Sequence, residues 1–335
     1  MDFVFIDVSK IRRGGQVYME RLASSLKKEG RICELAMRSG QENMGLVEVV
    51  IYVLRCIVRS RCWLVGTAPS FLPVFLVARR SILLIQSPVD EWSWKARTLL
   101  KLARKKKGRL VICVSDYVKK QVDSRGHKSS LVVYAQMAAE RNCQISSPIA
   151  FKNRRQVALA MMNPREFNKG YLCSVVLIES LCREVELVVD VYSESVDELV
   201  EIKDCCHLEL HGYAEDPFED FALRRKGMKR VYLGMSHFEG LHMAVVEAAR
   251  KGIPSILSDI PAHRELEKLV GEKIMIGGTQ QEYAELMRMI VESDDYYERM
   301  VEIYRSMGEE FLMKGRSGMS QLMKVVNELE AEEGV

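Results

Sequence analysis

The 335-residue chain has no CxxC pair, and its nine cysteines follow no repeated spacing. A zinc scaffold and a disulfide-stapled mini-protein are thereby excluded; adjacent Cys205-Cys206 are poor joint ligands, and the thiols read as those of a reducing compartment. No GxGxxG opens a helix, which removes the dinucleotide fingerprint. The absence of GxxxxGK(S/T) removes the P-loop ATPases, and neither a GxSxG elbow nor an HExxH helix occurs. There is also no DxD pair, so no obvious carboxylate cage holds a divalent cation, and no metal is expected. Long apolar runs are missing too. The longest uncharged stretch, Cys62 to Ala78, contains Pro69 and Pro73 and falls short of the ~20 residues of a spanning helix. It reads instead as a strand, a turn and a short buried helix. MDFVFIDVSK is too short and too acidic for a secretory signal, so a cytoplasmic location is expected.

What is present is a globular composition, 48% hydrophobic and 28% charged, in a chain long enough for about two domains of ~150 residues. The net charge of +3 conceals an asymmetry. Residues 1–150 carry 26 Lys+Arg against 12 Asp+Glu, a net of +14, and the remainder carries 23 against 34, a net of −11. Such a first half suits a polyanion. Its densest stretch, Lys95 to Arg109, has eight basic residues, no acidic one and an apolar side made by Leu99, Leu100, Leu102 and Ala103. A basic amphipathic helix of this kind fits an anionic membrane surface or a solvated helix face. Nucleic acid is not expected, because no aromatic residues interleave with the basic run to stack on bases.

Short apolar runs alternate with helical segments along the whole chain. Phe3–Ile6, Trp63–Val65, Ser81–Ile85, Leu110–Val114 and Leu131–Tyr134 read as buried parallel strands of a first domain, 1–145. After Asn142 the pattern loosens, and residues 146–153 read as a linker. A second alternation, 154–312, runs through Gln156–Met161, Leu187–Val191, His207–His211, Arg230–Leu233, Ser255–Leu257 and Lys273–Ile276. From Tyr283 to Glu330 the pattern is helical, and residues 313–335 are expected to form a C-terminal helix packing back on the first domain. The fold class is α/β: two Rossmann-like domains with a helical tail.

Residues 230–265 carry the most information. A strand ends near Leu233, a loop holds Ser236 to Gly240, a helix follows, Gly252 caps it and Pro254 opens the next strand. Glu239 lies on the loop and Glu247 inside the helix, so both can border one cleft at the C-terminal edge of a sheet. Between them the N–H groups of Gly240, Leu241 and His242 meet a helix N-terminus, which suits an anion such as a diphosphate. As spacing alone, two Glu eight positions apart are common and more often mark a solvated helix face.

The full segment closely resembles the donor-binding signature of retaining glycosyltransferases of the GT-B fold, family four. Its pattern S-x-x-E-G-x-x-x-x-x-x-E-A-x-x-x-G-x-P is met without a gap by Ser236, Glu239, Gly240, Glu247, Ala248, Gly252 and Pro254. Gly14-Gly15 resembles the glycine pair before that family's first helix, and VICVSDYVKKQV, with Ser115, the segment closing its first domain. Asn168-Lys169-Gly170 resembles the family's Lys-Gly, and His211-Gly212-Tyr213 the loop near the nucleotide base. Taken alone, a Gly-Gly or Lys-Gly dipeptide is an ordinary turn or helix end. The resemblance spans nearly the whole chain and implies a GT-B fold, its two domains facing each other across a cleft.

The activity so implied is metal-independent and cofactor-free transfer of a sugar, as by a hexosyltransferase, with retention. The donor is a nucleotide diphosphate sugar and the acceptor a glycan, lipid-linked or other hydroxyl. Lys169, Arg165 and the helix start at Gly240, Leu241, His242 and Met243 would hold the diphosphate. Glu239 would orient the donor sugar and Glu247 the ribose, with Gly14, Gly15, Gln86, Asn168, Gly212 and Tyr213 lining the donor. Departures from the pattern are specific. Arg165 stands four residues before Lys169 rather than about five; Gln86 replaces a frequent His and cannot titrate; Tyr134-Ala135-Gln136 replaces an Asn-Gly. His242 stands where a small residue is usual, with either a structural role or a phosphate contact for its ring. A nucleotide-sugar epimerase or phosphorylase on the same fold and a non-catalytic polyanion-binding module are the alternative readings.

Overall fold

Apolar runs of five to seven residues cannot leave their backbone or side chains unpaired in a core, and here they pair as parallel strands covered by helices on their faces. The computed structural model describes residues 2–7, 14–37, 46–59, 62–102, 108–127, 130–134, 156–163, 168–181, 186–193, 207–212, 214 and 216–332. The expected linker 146–153 lies outside them. The chain divides into two units, Met1–Glu140 with Leu312–Val335, and Arg141–Phe311.

In the first unit, β1 (Phe3–Asp7), β2 (Cys33–Met37), β3 (Trp63–Thr67), β4 (Ser81–Ile85), β5 (Arg109–Cys113) and β6 (Leu131–Val132) form a parallel sheet of order β2-β1-β3-β4-β5-β6. Connections include α1 (Gly14–Lys28), α2 (Leu46–Arg59), α3 (Leu72–Val77), α4 (Trp94–Leu102) and α5 (Asp116–Ser124). The stretch Cys62–Ala78 folds as expected, a strand, a turn and the short helix α3. β2 carries no apolar run: Glu34 is exposed between buried Cys33 and Ala36, as an edge strand allows. The basic stretch forms α4 as far as Leu102; residues 103–107 lie outside the described set. The helix buries Ala96 and Leu100 and exposes Trp94, Lys95, Thr98, Lys101 and Leu102, which share one face at helical spacing.

The second unit holds β7 (Gln156–Met162), α6 (Tyr171–Leu181), β8 (Glu186–Tyr192), β9 (His207–His211), α7 (Pro217–Arg224), β10 (Lys229–Gly234), α8 (Met243–Arg250), β11 (Ser255–Ser258), α9 (Pro261–Val270), β12 (Ile276–Gly277) and α10 (Gln280–Glu292). The strand expected at Lys273–Ile276 is reduced to β12, because this edge strand pairs only through Leu257↔Ile276 and Ser258↔Gly277. The order β12-β11-β10-β7-β8-β9 is that of a Rossmann sheet: the chain winds outward from β7 through β9, then returns to start again at β10. β7 and β10 therefore flank the topological switch point, where neighbouring crossovers diverge and leave a crevice at the strands' C-terminal ends.

The expected helical tail is two helices. α10 stops at Ser293, and α11 (Asp294–Glu332) spans 39 residues. At the joint Lys229, 0% exposed, donates to the carbonyls of Ile290 (2.6 Å) and Val291 (3.1 Å) and pairs with Asp294 (2.7 Å). A buried cation thus meets the carbonyl end of α10, where orphan acceptors and the helix dipole favour it. Residues up to Phe311 belong with the second unit and the remainder with the first. There Glu330 accepts from the Trp63 indole (3.1 Å) and pairs with Arg31 (3.3 Å). No helix among the described residues is long and apolar enough to cross a membrane.

Candidate functional site

Two loops leave the switch point. One follows β7 and carries Asn168, Lys169 and Gly170; the other, Met235–His242, follows β10 and carries Glu239. Gly170 has φ +65°, and a Cβ built on it would lie 2.0 Å from the Met235 carbonyl oxygen. Only glycine allows both that backbone conformation and that approach. The loops are then stitched together: His237 N–H donates to Asn168 O (2.7 Å), and the Asn168 amide donates to Phe238 O (3.2 Å).

The stitching brings Lys169 and Glu239, 70 positions apart, into one ion pair. Glu239 Oε1 accepts from Lys169 Nζ (2.7 Å), Ser236 Oγ (2.8 Å) and Asn168 Nδ2 (3.2 Å). All three bonds fall on the same oxygen, so the carboxylate is oriented rather than merely neutralised. The side chains are 19% and 11% exposed, enough to meet a ligand and too little for free hydration.

Behind this pair lies a buried polar chain. His242 Nε2 is 3.0 Å from the Tyr232 hydroxyl and its Nδ1 is 2.8 Å from His263 Nε2; His263 Nδ1 is 2.6 Å from Ser258 O. Ser258 Oγ in turn donates to Ser236 O (2.5 Å). The two imidazoles meet edge to edge along their shared bond, their centroids 5.1 Å apart and their planes 21° from parallel. Gly234 makes the room: a Cβ there would lie 3.0 Å from His242 Cε1. Burial, then the Lys169 charge, holds His242 well below the usual imidazole range; burial likewise pushes His263 down to about 4. Both nitrogens of the His242 ring are engaged inside the unit.

Gly240 and Leu241 close the loop, and Met243 starts α8, whose first N–H groups have no acceptor within the helix. Glu247, half-buried, lies one turn further along α8. Gly212 is exposed after β9, while Arg165 and Tyr213 lie outside the described residues. In the first unit Gly14 and Gly15 open α1 and Gln86 directly follows β4. Sequence reasoning does not reach Tyr232, Ser258 and His263, whose partners include residues on other elements, so that no local spacing announces them. One group of metal-ligating types occurs among the described residues, Asp190, Glu209 and His211. Arg225 occupies it, with bonds to Asp190 (2.7 and 2.8 Å) and Glu209 (2.7 Å), and its hydrogen bond, with its charge, lowers the Glu209 carboxyl from its ordinary value. His211 completes this ion-pair network, bonding Asp190 (2.6 Å) and stacking on Tyr192.

No family model and no curated protein matches the sequence. Solved structures do match. HepE of Anabaena, in its complex with UDP-glucose, superposes with a TM-score of 0.70 at 15% identity, covering 97% of this chain and 100% of that one. WaaG, a glycosyltransferase involved in lipopolysaccharide biosynthesis, gives 0.69 at 11% identity over 95% and 98%. Sucrose-phosphate synthase from Thermosynechococcus elongatus gives 0.70 at 13% over 99% of both chains. Similarity along whole chains at such low identity defines the architecture: the chain has the GT-B fold, two Rossmann-like units with parallel six-stranded sheets and a C-terminal helix.

Proposed function

We propose that the protein is a retaining glycosyltransferase that moves a sugar from a nucleotide diphosphate sugar to a hydroxyl acceptor, a glycan or a lipid-linked one, without a metal or cofactor. The observation that carries this reading is the Lys169–Glu239 pair at the β7/β10 switch point, beside the N-terminus of α8. A diphosphate meets there a cation and oriented backbone donors, which stabilise charge growing on the leaving group. Arg165 adds a second cation to this role. Glu239 Oε1 is taken up by its three partners, and Oε2 is the oxygen that accepts from a hydroxyl of the donor sugar. Glu247 accepts from the ribose diol. Gly212 and Tyr213 serve the nucleotide base. Attack on the same face, the diphosphate oxygen taking the acceptor proton, gives retention without a covalent enzyme intermediate.

Support for the donor class comes from HepE, solved with UDP-glucose, and from the transferases WaaG and WaaB, the latter a galactosyltransferase of the lipopolysaccharide outer core. The exposed face of α4, with Trp94, Lys95, Lys101 and Leu102, supports peripheral contact of the first unit with an anionic membrane.

Calorimetry with UDP, GDP, ADP and CDP in chelator tests the reading. One nucleotide is expected to bind at micromolar strength and to weaken ~10-fold or more in Lys169→Ala and in Glu247→Ala. If none binds, the reading is overturned, and retention on anionic vesicles or DNA then tests the polyanion-binding alternative. Epimerisation of the bound nucleotide sugar with no acceptor present would identify an epimerase instead.

A further inference from the structure

We infer that Tyr232, His242 and His263 are positioning residues of the donor site, a one-way hydrogen-bond relay that fixes both ends of the loop carrying Glu239. The inference deepens the proposed function and rests on it for its consequence in binding, but the relay itself follows from the geometry alone.

Its direction is set at one end. Ser258 O is a carbonyl and only accepts, so His263 Nδ1 carries the proton of that 2.6 Å bond. In a neutral ring His263 Nε2 is then an acceptor, and His242 Nδ1–H donates to it (2.8 Å). His242 Nε2 is left as an acceptor, and the Tyr232 hydroxyl donates to it (3.0 Å). One arrangement of protons satisfies every group, with both rings neutral and both in the Nδ1–H form. The rings are 1% and 0% exposed, with Lys169 near, so a charged imidazole is disfavoured.

The relay's place explains its use. Met235–His242 has no helix or strand of its own. Its far end, His242, is tied to His263; its near end, Ser236, is tied to Ser258, the residue that His263 also holds. Ser258 and His263 thus act as one anchor for both ends, and Ser236 passes the constraint on to Glu239 through its hydroxyl. An apolar pair in the same space would make none of these hydrogen bonds and so would tie neither end of the loop to Ser258.

Two measurements test this on the full chain. Nitrogen–proton correlation spectra of the imidazoles should show Nδ1–H forms for His242 and His263; Nε2–H forms for both would overturn the relay. Amide exchange in residues 236–242 should quicken about 10-fold in Tyr232→Phe and more in His263→Leu, with amides of β7 and β8 unchanged. Uniform quickening throughout the unit, or none, would overturn the positioning role; Tyr232→Phe, which keeps its ring, remains informative if His263→Leu fails to fold. The nucleotide that binds wild type should bind Tyr232→Phe about 3-fold or more weakly, and equal binding would sever the relay from the donor site. If wild type binds none of the four nucleotides, the donor reading fails while spectra and exchange still decide the relay.

Discussion

Acidification from pH 7 to pH 5 is expected to destabilise the second unit through His263. Its ring titrates at about 4 in the folded chain, against ~6.5 when unfolded, because burial opposes the charge. Between those values the unfolded chain binds the extra proton and the folded one does not, so stability falls as pH drops from about 6.5 to about 4 and then levels. At ~1.4 kcal/mol per pH unit the full effect is about 3 kcal/mol, of which about 2 kcal/mol is developed at pH 5. His242, whose pKa is also lowered by burial, adds in the same direction. With a urea dependence of about 2 kcal/mol per molar, the unfolding midpoint should move down by ~1 M at pH 5. Far-ultraviolet circular dichroism follows the transition. Trp63, Trp92 and Trp94 all lie in the first unit, so tryptophan fluorescence serves as an internal control that should move much less. His263→Gln removes the titrating ring and should flatten the profile between pH 5 and 7. An unchanged slope in that variant would refute the reasoning.

Gly170→Ala should destabilise the chain by more than ~2 kcal/mol and abolish nucleotide binding, since its Cβ would meet Met235 O at a positive φ; an unaltered melting curve would contradict this. Lys229→Met leaves Asp294 and two carbonyls at the end of α10 without their cation and should cost about 3 kcal/mol by urea unfolding, with no change in nucleotide affinity beyond that of the unfolded fraction. Co-sedimentation with vesicles containing anionic lipid should fall several-fold on combining Trp94→Ala, Lys95→Glu and Lys101→Glu, while neutral vesicles retain neither protein. Equal retention of both proteins would remove α4 from the membrane reading.

How much of this could be read from the sequence varied with distance along the chain. Ser236 through Pro254 is one uninterrupted strand-end, loop, helix and turn, and its residues announced both the loop and the helix start. Lys169 was reachable only through resemblance, because nothing near it says that a loop 70 positions away will be stitched to its own. The relay was illegible for the same reason: Tyr232, His242 and His263 sit on a strand, a loop and a helix, and only packing aligns their polar atoms. In the first unit, helix α2 and strand β2 lie outside the runs that the sequence marks; β2 lacks the unbroken apolar run of strands buried on both faces. The apolar run ending at Ile276 exceeds β12 for the opposite reason, since Ile274 and Met275 are buried without extending the ladder.

Gly170 carries no side chain, yet it decides whether the two loops meet. Were every position of this chain replaced in turn and the survivors counted, Gly170 would be as intolerant as Lys169 beside it. A map of mutational sensitivity would therefore mark a pair of neighbours as equal, one for its charge and the other for the space it leaves empty.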